Sequence, residues 1–301
     1  MTSRLPSVRR LVKFILVLAL GAWLANFVAD TTFIAADYHV YREAGDALYE
    51  TGDPYSANPP VTKFESHYRY PPLLAMLMPL LPAGVWFPLL ILAWASPIWL
   101  GWKRLGPDGL LLPLLLAGCW IQLLLNGNAQ AFIVAALCLV PISRRGGAVA
   151  AAAATWVKIH PAFVVLWYIG RRDWGAFRWY AGTFVALGLI QLPWLGEFLA
   201  YAGSPQAWVP AQLSLRSAGP ALWILAIGIS AFLTLRFARD ERGWFFALVT
   251  QMLALPRANL SNLITLLLPP GADARRTVEQ LTPVRNSCLM KPQASRDDSS
   301  T

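Results

Sequence analysis

The sequence predicts an all-α, polytopic integral membrane protein, and three observations carry that reading. First, 56% of the 301 residues are hydrophobic and the mean hydropathy is +0.48. Charged residues make up 14%, against about 25% in a soluble domain; a soluble chain of this size cannot hide so much apolar surface, so lipid must solvate much of it. Second, the basic residues stand in short clusters between apolar runs: Arg9/Arg10/Lys13, Lys103/Arg104, Arg144/Arg145, Arg171/Arg172 and Arg236/Arg239/Arg242. That is the positive-inside pattern, and it places the +9 net charge beside a membrane and not on a nucleic-acid surface. Third, 14 Trp and 9 Tyr suit a protein anchored at two lipid–water interfaces. Together these features exclude a disordered chain, a secreted disulfide scaffold and an ordinary cytosolic enzyme. Cys119, Cys138 and Cys288 have no paired spacing and support neither a disulfide framework nor a metal site.

Four regions follow in order. Residues 1–29 read as a basic cytoplasmic N-terminus and a first membrane helix over 13–29. Trp23 or Phe27 falls where signal cleavage wants a small residue, so a retained anchor is expected. Residues 30–70 form an extracytoplasmic loop. It holds seven of the 16 acidic residues and only Arg42, Lys63 and Arg69 as bases, a net −4 in a basic protein. Within it, 37–49 reads as an amphipathic interfacial helix with Val40, Ala44, Ala47 and Leu48 on one face, ended by the turn Gly52-Asp53-Pro54. Residues 71–270 form the membrane bundle. Pro71-Pro72 opens it, because proline is tolerated in a first helical turn. The run 73–102 is broken by Pro79 and Pro82, and further runs cover 110–125, 129–142, 148–157, 162–170, 177–195, 221–237 and 244–268. Several are shorter than the about 20 residues of a full span, so roughly 8 to 10 full or half-membrane helices are expected by that span rule. The alanine run 148–154 predicts close helix packing. Residues 271–301 read as a polar, disordered tail.

Broken helices at membrane depth persist only where protein packs them or water reaches them. Asn126-Gly127-Asn128 and Lys158-Ile159-His160-Pro161 therefore mark helix breaks at a functional cavity. Asp37 begins the refolding of the outer loop. It reads either as a general base aimed at an interfacial substrate or as the N-cap of the loop helix. Lys158 lies between two apolar segments, where an unpaired ammonium costs a few kcal/mol. It reads as an anion site beside the helix begun by Pro161, with snorkelling to the interface as the alternative. His160 would bond the same anion or serve as a packing group. Arg69 and Arg216, in or near outer loops, are further phosphate candidates. Asn126, Asn128 and Gln130 would bond sugar hydroxyls, or satisfy backbone groups freed by the break at Gly127. No P-loop, dinucleotide fingerprint or zinc-type cluster occurs, and His39, His67 and His160 lack metal spacing.

These pieces, in this order, resemble glycosyltransferase family 87, polytopic GT-C-type enzymes related to polyprenol-phosphate-mannose-dependent α-mannosyltransferases. The resemblance covers roughly residues 10–200. It rests on the basic start and single anchor, Asp37-Tyr38-His39-Val40-Tyr41, Thr51-Gly52-Asp53-Pro54-Tyr55 and Tyr70-Pro71-Pro72-Leu73. Asn126-Gly127-Asn128-Ala129-Gln130, Lys158-Ile159-His160-Pro161 and Arg171-Arg172-Asp173-Trp174 complete it. It implies a GT-C-like fold with Asp37 as the catalytic carboxylate, and substrate contacts from Lys158 and Tyr70. It also implies a polyprenyl-phosphate sugar donor, a glycolipid or glycan acceptor at the extracytoplasmic face, and no cofactor, since the donor carries no nucleotide. Its setting is a multi-pass plasma (inner) membrane protein whose partners are membrane lipids and not nucleic acid. The last apolar run, with Pro256 and Arg257, passes straight into the tail; relative to that family, the chain is expected to be shortened at its C-terminus. The competing readings are a lipid-linked substrate transporter or flippase, and a non-catalytic membrane subunit.

Overall fold

The computed structural model describes residues 35–56, 68–105, 117–204 and 214–255. The predicted anchor over 13–29 and the tail over 271–301 lie outside them. Within the described residues the fold is all-helical. The helices are α1 (Ala36–Thr51), α2 (Pro72–Leu77), α3 (Ala83–Leu105), α4 (Ala117–Leu125), α5 (Gln130–Leu139) and α6 (Arg144–Val157). They continue with α7 (Val164–Gly170), α8 (Trp174–Ile190), α9 (Leu192–Gly203), α10 (Pro220–Phe237) and α11 (Glu241–Leu253). Short 3-10 turns at Met78–Leu80, His160–Phe163 and Leu215–Ser217 link some of them.

By length and composition, two described helices can cross a membrane, the segments Ala83–Leu100 and Pro220–Phe237. The number rises to four if each of two bent pairs is one span: Gly118–Leu125 with Gln130–Leu139 at 117°, and Trp174–Ile190 with Leu192–Gly203 at 95°. Within the described residues several apolar runs fold as short helices joined at sharp breaks; the 8 to 10 full or half-spans expected for the whole chain include runs that lie outside them. On α10, Leu222, Ile224, Leu225, Ile229, Phe232 and Leu235 face outward, as an apolar helix does when its solvent is hydrocarbon.

Local chemistry explains the boundaries. The run expected over 148–157 begins earlier, at Arg144, because the Ser143 hydroxyl accepts from the Gly146 N–H at 3.0 Å, a serine N-cap. The run expected over 177–195 is not one helix. It turns at Gln191, just before Leu192-Pro193, where proline occupies the start of α9 and cannot continue the α8 ladder. The Gln191 side chain, fully buried, accepts from the Leu73 N–H at 2.6 Å and donates to the Leu187 carbonyl at 3.0 Å. It thereby satisfies an otherwise orphaned amide at the start of α2. Tyr68 assists from the other side. Its hydroxyl donates to the Pro71 carbonyl at 2.7 Å and accepts from the Ala75 N–H at 3.0 Å.

Small residues set the packing. Ala148, Ala151 and Ala152 are completely buried where α6 lies between α5 and α8. Close backbone approach of this kind yields dispersion contacts where lipid offers no hydrophobic drive between helices. The pair α10–α11 is held by hydroxyls: Ser230 and Thr234 both meet Thr250, at 2.9 and 3.2 Å. An Arg144–Asp173 ion pair ties α6 to the N-cap of α8.

Candidate functional site

The site is assembled where α1 meets the break between α4 and α5. The N-cap of α1 is Ala35, at φ 61°, and no side chain caps the helix. Its first amides are taken instead by the break: Ala35 N–H donates to the Leu125 carbonyl at 2.6 Å and Tyr38 N–H to the Asn126 carbonyl at 3.1 Å. Asp37 is therefore not a cap, and its carboxylate is left to other work. Gly127 makes the seat possible. Its φ is +72°, and a Cβ there would lie 2.8 Å from Tyr38 Cβ, so only glycine gives both the turn and the clearance. Its carbonyl accepts from the Trp86 indole N–H at 2.9 Å, which fastens the same turn to α3.

From this seat Asn128 reaches both ionisable groups. Its Nδ2 donates to Asp37 Oδ2 at 2.7 Å, and its Oδ1 accepts from Lys158 Nζ at 3.3 Å and from the Gln130 N–H at 2.8 Å. A carboxylate only accepts and an ammonium only donates, so the amide has one possible orientation. Lys158 Nζ also donates to Gln130 Oε1 at 3.2 Å and stands 5.1 Å from the Tyr70 ring centroid, within cation–π range. Its backbone ends α6 in an extended conformation, which turns the side chain inward toward α5. The snorkelling alternative does not describe this geometry.

Two phenols complete the cluster. Tyr41, one turn after Asp37 on α1, is fully buried. Its hydroxyl accepts from the Ala129 N–H at 3.4 Å and donates to the Tyr70 hydroxyl at 3.3 Å. With that proton committed, the Tyr70 hydroxyl keeps its own proton for a further acceptor, in the field of the Asp37 carboxylate. Asp37, Asn128, Lys158 and Tyr70 each keep partial exposure, so the cluster is open on one side although protein atoms crowd Asp37 elsewhere.

Burial holds the Asp37 carboxyl above its usual range, while the Asn128 hydrogen bond and the Lys158 charge pull it back down. The net result is a stronger base than a solvated aspartate, still paired with a cation.

The other sequence candidates are placed as follows. Arg69 lies beside this cluster, where its charge acts on the Tyr201 hydroxyl of α9 and on Tyr70. Asn126 contributes its backbone to the α1 seat, and its buried Oδ1 makes no hydrogen bond. His160, two residues from Lys158, is buried and faces Gln251 of α11. Arg216 stands over the Trp223 ring at 5.7 Å, in a separate set of contacts with α10. Asp37, Asn128, Lys158 and Tyr70 are thus drawn together, Arg69 borders them, and Arg216 belongs to another part of the fold. Asn128 and Gln130 are both engaged with Lys158, so their amides hold the charged groups.

Sequence reasoning missed Tyr41, Gln191 and Gln251. Tyr41 was visible as the residue four after Asp37, on the same helical face. The two glutamines were visible as lone amides inside apolar runs, where each must find a partner. Among the described residues no group of three or more His, Cys, Asp or Glu is gathered as a metal site would require. Comparison with family models, with characterised proteins and with solved structures returns no match.

Proposed function

We propose that this chain is a multi-pass plasma-membrane glycosyltransferase of GT-C type. It moves a sugar, with mannose the first to test, from a polyprenyl-phosphate donor to an acceptor hydroxyl at the extracytoplasmic face. The observation that carries the reading is the joining of Asp37 and Lys158 through the single amide of Asn128. A base and a cation bridged by one amide, partly open and beside an apolar bundle, match what this transfer needs. The acceptor oxygen attacks the anomeric carbon as its proton passes to the Asp37 carboxylate. The bond from the anomeric carbon to the phosphate oxygen breaks, and its electron pair leaves with the polyprenyl phosphate. The Lys158 ammonium faces that developing charge, and the Tyr70 hydroxyl donates to it. Arg69 borders the same side.

The test is transfer of labelled mannose from polyprenyl-phosphate mannose by membranes carrying wild type or Asp37→Ala. Loss of at least about a hundredfold is expected for a missing general base; equal transfer by both overturns the assigned role. The bent helix pairs at 117° and 95° also suit a carrier, since broken helices line transport sites. Uptake of lipid-linked sugar into proteoliposomes without any glycoside product would favour that second reading.

A further inference from the structure

The end of the bundle away from the Asp37–Lys158 cluster gathers positive charge from three separate turns. α6 joins the two regions: it starts at Arg144, is capped at its far end by Lys158, and its 14 residues rise about 20 Å. Arg144 pairs with Asp173, which links the turn before α6 to the turn before α8. Gly170 closes α7 against α10, where an added Cβ would collide with Ala238 and stand 2.9 Å from the Leu235 carbonyl. That contact seats the turn 171–173 beside the one joining α10 to α11. Segments 143–145, 171–173 and 236–242 together hold seven arginines against three acids. Among the described side chains one ion pair forms there, Arg144–Asp173.

Packing within the protein does not account for this arrangement. Arg236 and Arg242 stand over one ring, that of Phe237, at 5.6 and 5.4 Å, so two like charges that repel are held at a single residue. Arg172 has φ 57°, a left-handed backbone that strains an L-residue and costs glycine nothing. Glycine is the usual residue just past a helix end, yet an exposed arginine stands there. Strain kept where a simpler residue would serve points to use of the side chain. The same rim exposes Trp174 and Trp179, with the Arg145 guanidinium 4.0 Å from the Trp179 ring centroid. Leu235 and Phe232 lead away from it along the outward apolar face of α10. Cations and indoles at the foot of a helix with an apolar outer face suit a phosphate headgroup whose acyl chains lie alongside. We propose that this surface binds an anionic phospholipid. The headgroup phosphate meets Arg172 together with the Arg236–Arg242 pair, and the acyl chains run along α10. The site is independent of the transfer reading, because its ligand carries no sugar and meets neither Asp37 nor Lys158.

The test is native mass spectrometry of the purified full chain in detergent with equimolar phosphatidylglycerol and phosphatidylcholine. Wild type is expected to retain phosphatidylglycerol over phosphatidylcholine by at least about fivefold, the worth of one arginine at an anionic surface. The double variant Arg236→Gln/Arg242→Gln is expected to bring that preference down to about twofold or less. Arg172→Gly is expected to weaken the preference and, by relieving the backbone, to raise the thermal midpoint in phosphatidylcholine nanodiscs. A merely structural arginine would not give that pairing, and this variant serves if the double variant does not fold. Lys103→Gln removes a charge from α3, outside the three turns, and is expected to leave the preference within about twofold of wild type. Equal retention of both lipids by wild type overturns the site, as does full preference in Arg172→Gly. An equal loss in Lys103→Gln overturns it in favour of diffuse surface charge. Displacement of phosphatidylglycerol by millimolar inorganic phosphate overturns the lipid as occupant, since a free anion would then suffice.

Discussion

The Asp37 carboxylate and the Asn128 carboxamide meet at 2.7 Å across 91 residues of chain. The contact joins the first turn of α1 to the break between α4 and α5. Because the other end of the same amide accepts from Lys158, Asn128 sets the position of both charged groups. It is a positioning residue, and its effect should differ in kind from that of the groups it holds.

Asn128→Ala should lower turnover by about ten- to a hundredfold, as expected when a reacting group loses its fixed orientation. It should also move the acid limb of the kcat/KM profile. The Asn128 hydrogen bond favours ionised Asp37, so its removal raises the Asp37 pKa, and activity is lost at a higher pH as the medium is acidified. A pH–rate series on wild type and variant checks this; an unmoved acid limb with reduced turnover would point to a purely structural role.

Lys158→Met should weaken binding of bare polyprenyl phosphate by about tenfold or more, the worth of a charge-assisted contact. Because the Lys158 charge also favours ionised Asp37, the acid limb should again move upward. Lys158→Arg should recover only part of the binding, since a planar fork does not reproduce a point charge bonded to both Asn128 Oδ1 and Gln130 Oε1. Lipid titration of the purified chain gives the answer, and unchanged affinity in Lys158→Met would remove the phosphate role.

Gly127→Ala should destabilise the protein by about 2–5 kcal/mol. The left-handed backbone costs an L-residue about 1–2 kcal/mol, and the added Cβ would stand 2.8 Å from Tyr38 Cβ, an overpacking of about 1–3 kcal/mol. Thermal unfolding in detergent measures the loss. Gly228→Ala, where an added Cβ meets nothing within 4 Å, is the control and should be nearly neutral.

Gln191→Leu should cost about 1–3 kcal/mol, because the Leu73 N–H at the start of α2 loses its partner. Thermal unfolding again reads this, and an unchanged midpoint would show that α2 is capped some other way.

Much of this architecture can be read from residue type alone. The amphipathic helix, the two polar breaks and the first turn of α2 follow from period, glycine and proline, which act within a few residues. The bend at Gln191 was less legible: the apolar run continues through it, and only the neighbouring proline and the lone amide mark it. The site divides the same way. Asp37 and Lys158 stand out because charge is rare in an apolar chain. Their link through Asn128 does not, because it depends on where a glycine turn seats one helix against a break some ninety residues later in the chain. The engagement of Gln130 with Lys158, and of Gln251 with His160, is likewise a property of packing and not of spacing.

The seat of α1 carries one more implication. A continuous helix through 117–139 would use the Leu125 and Asn126 carbonyls in its own ladder; here they are lent to Ala35 and Tyr38. Straightening that bend would therefore strip α1 of its anchorage and pull the aspartate away from its amide in the same movement. The kink and the loop helix can only be gained or lost as a unit, so a variant that unbends the one disarms the other without touching an ionisable group.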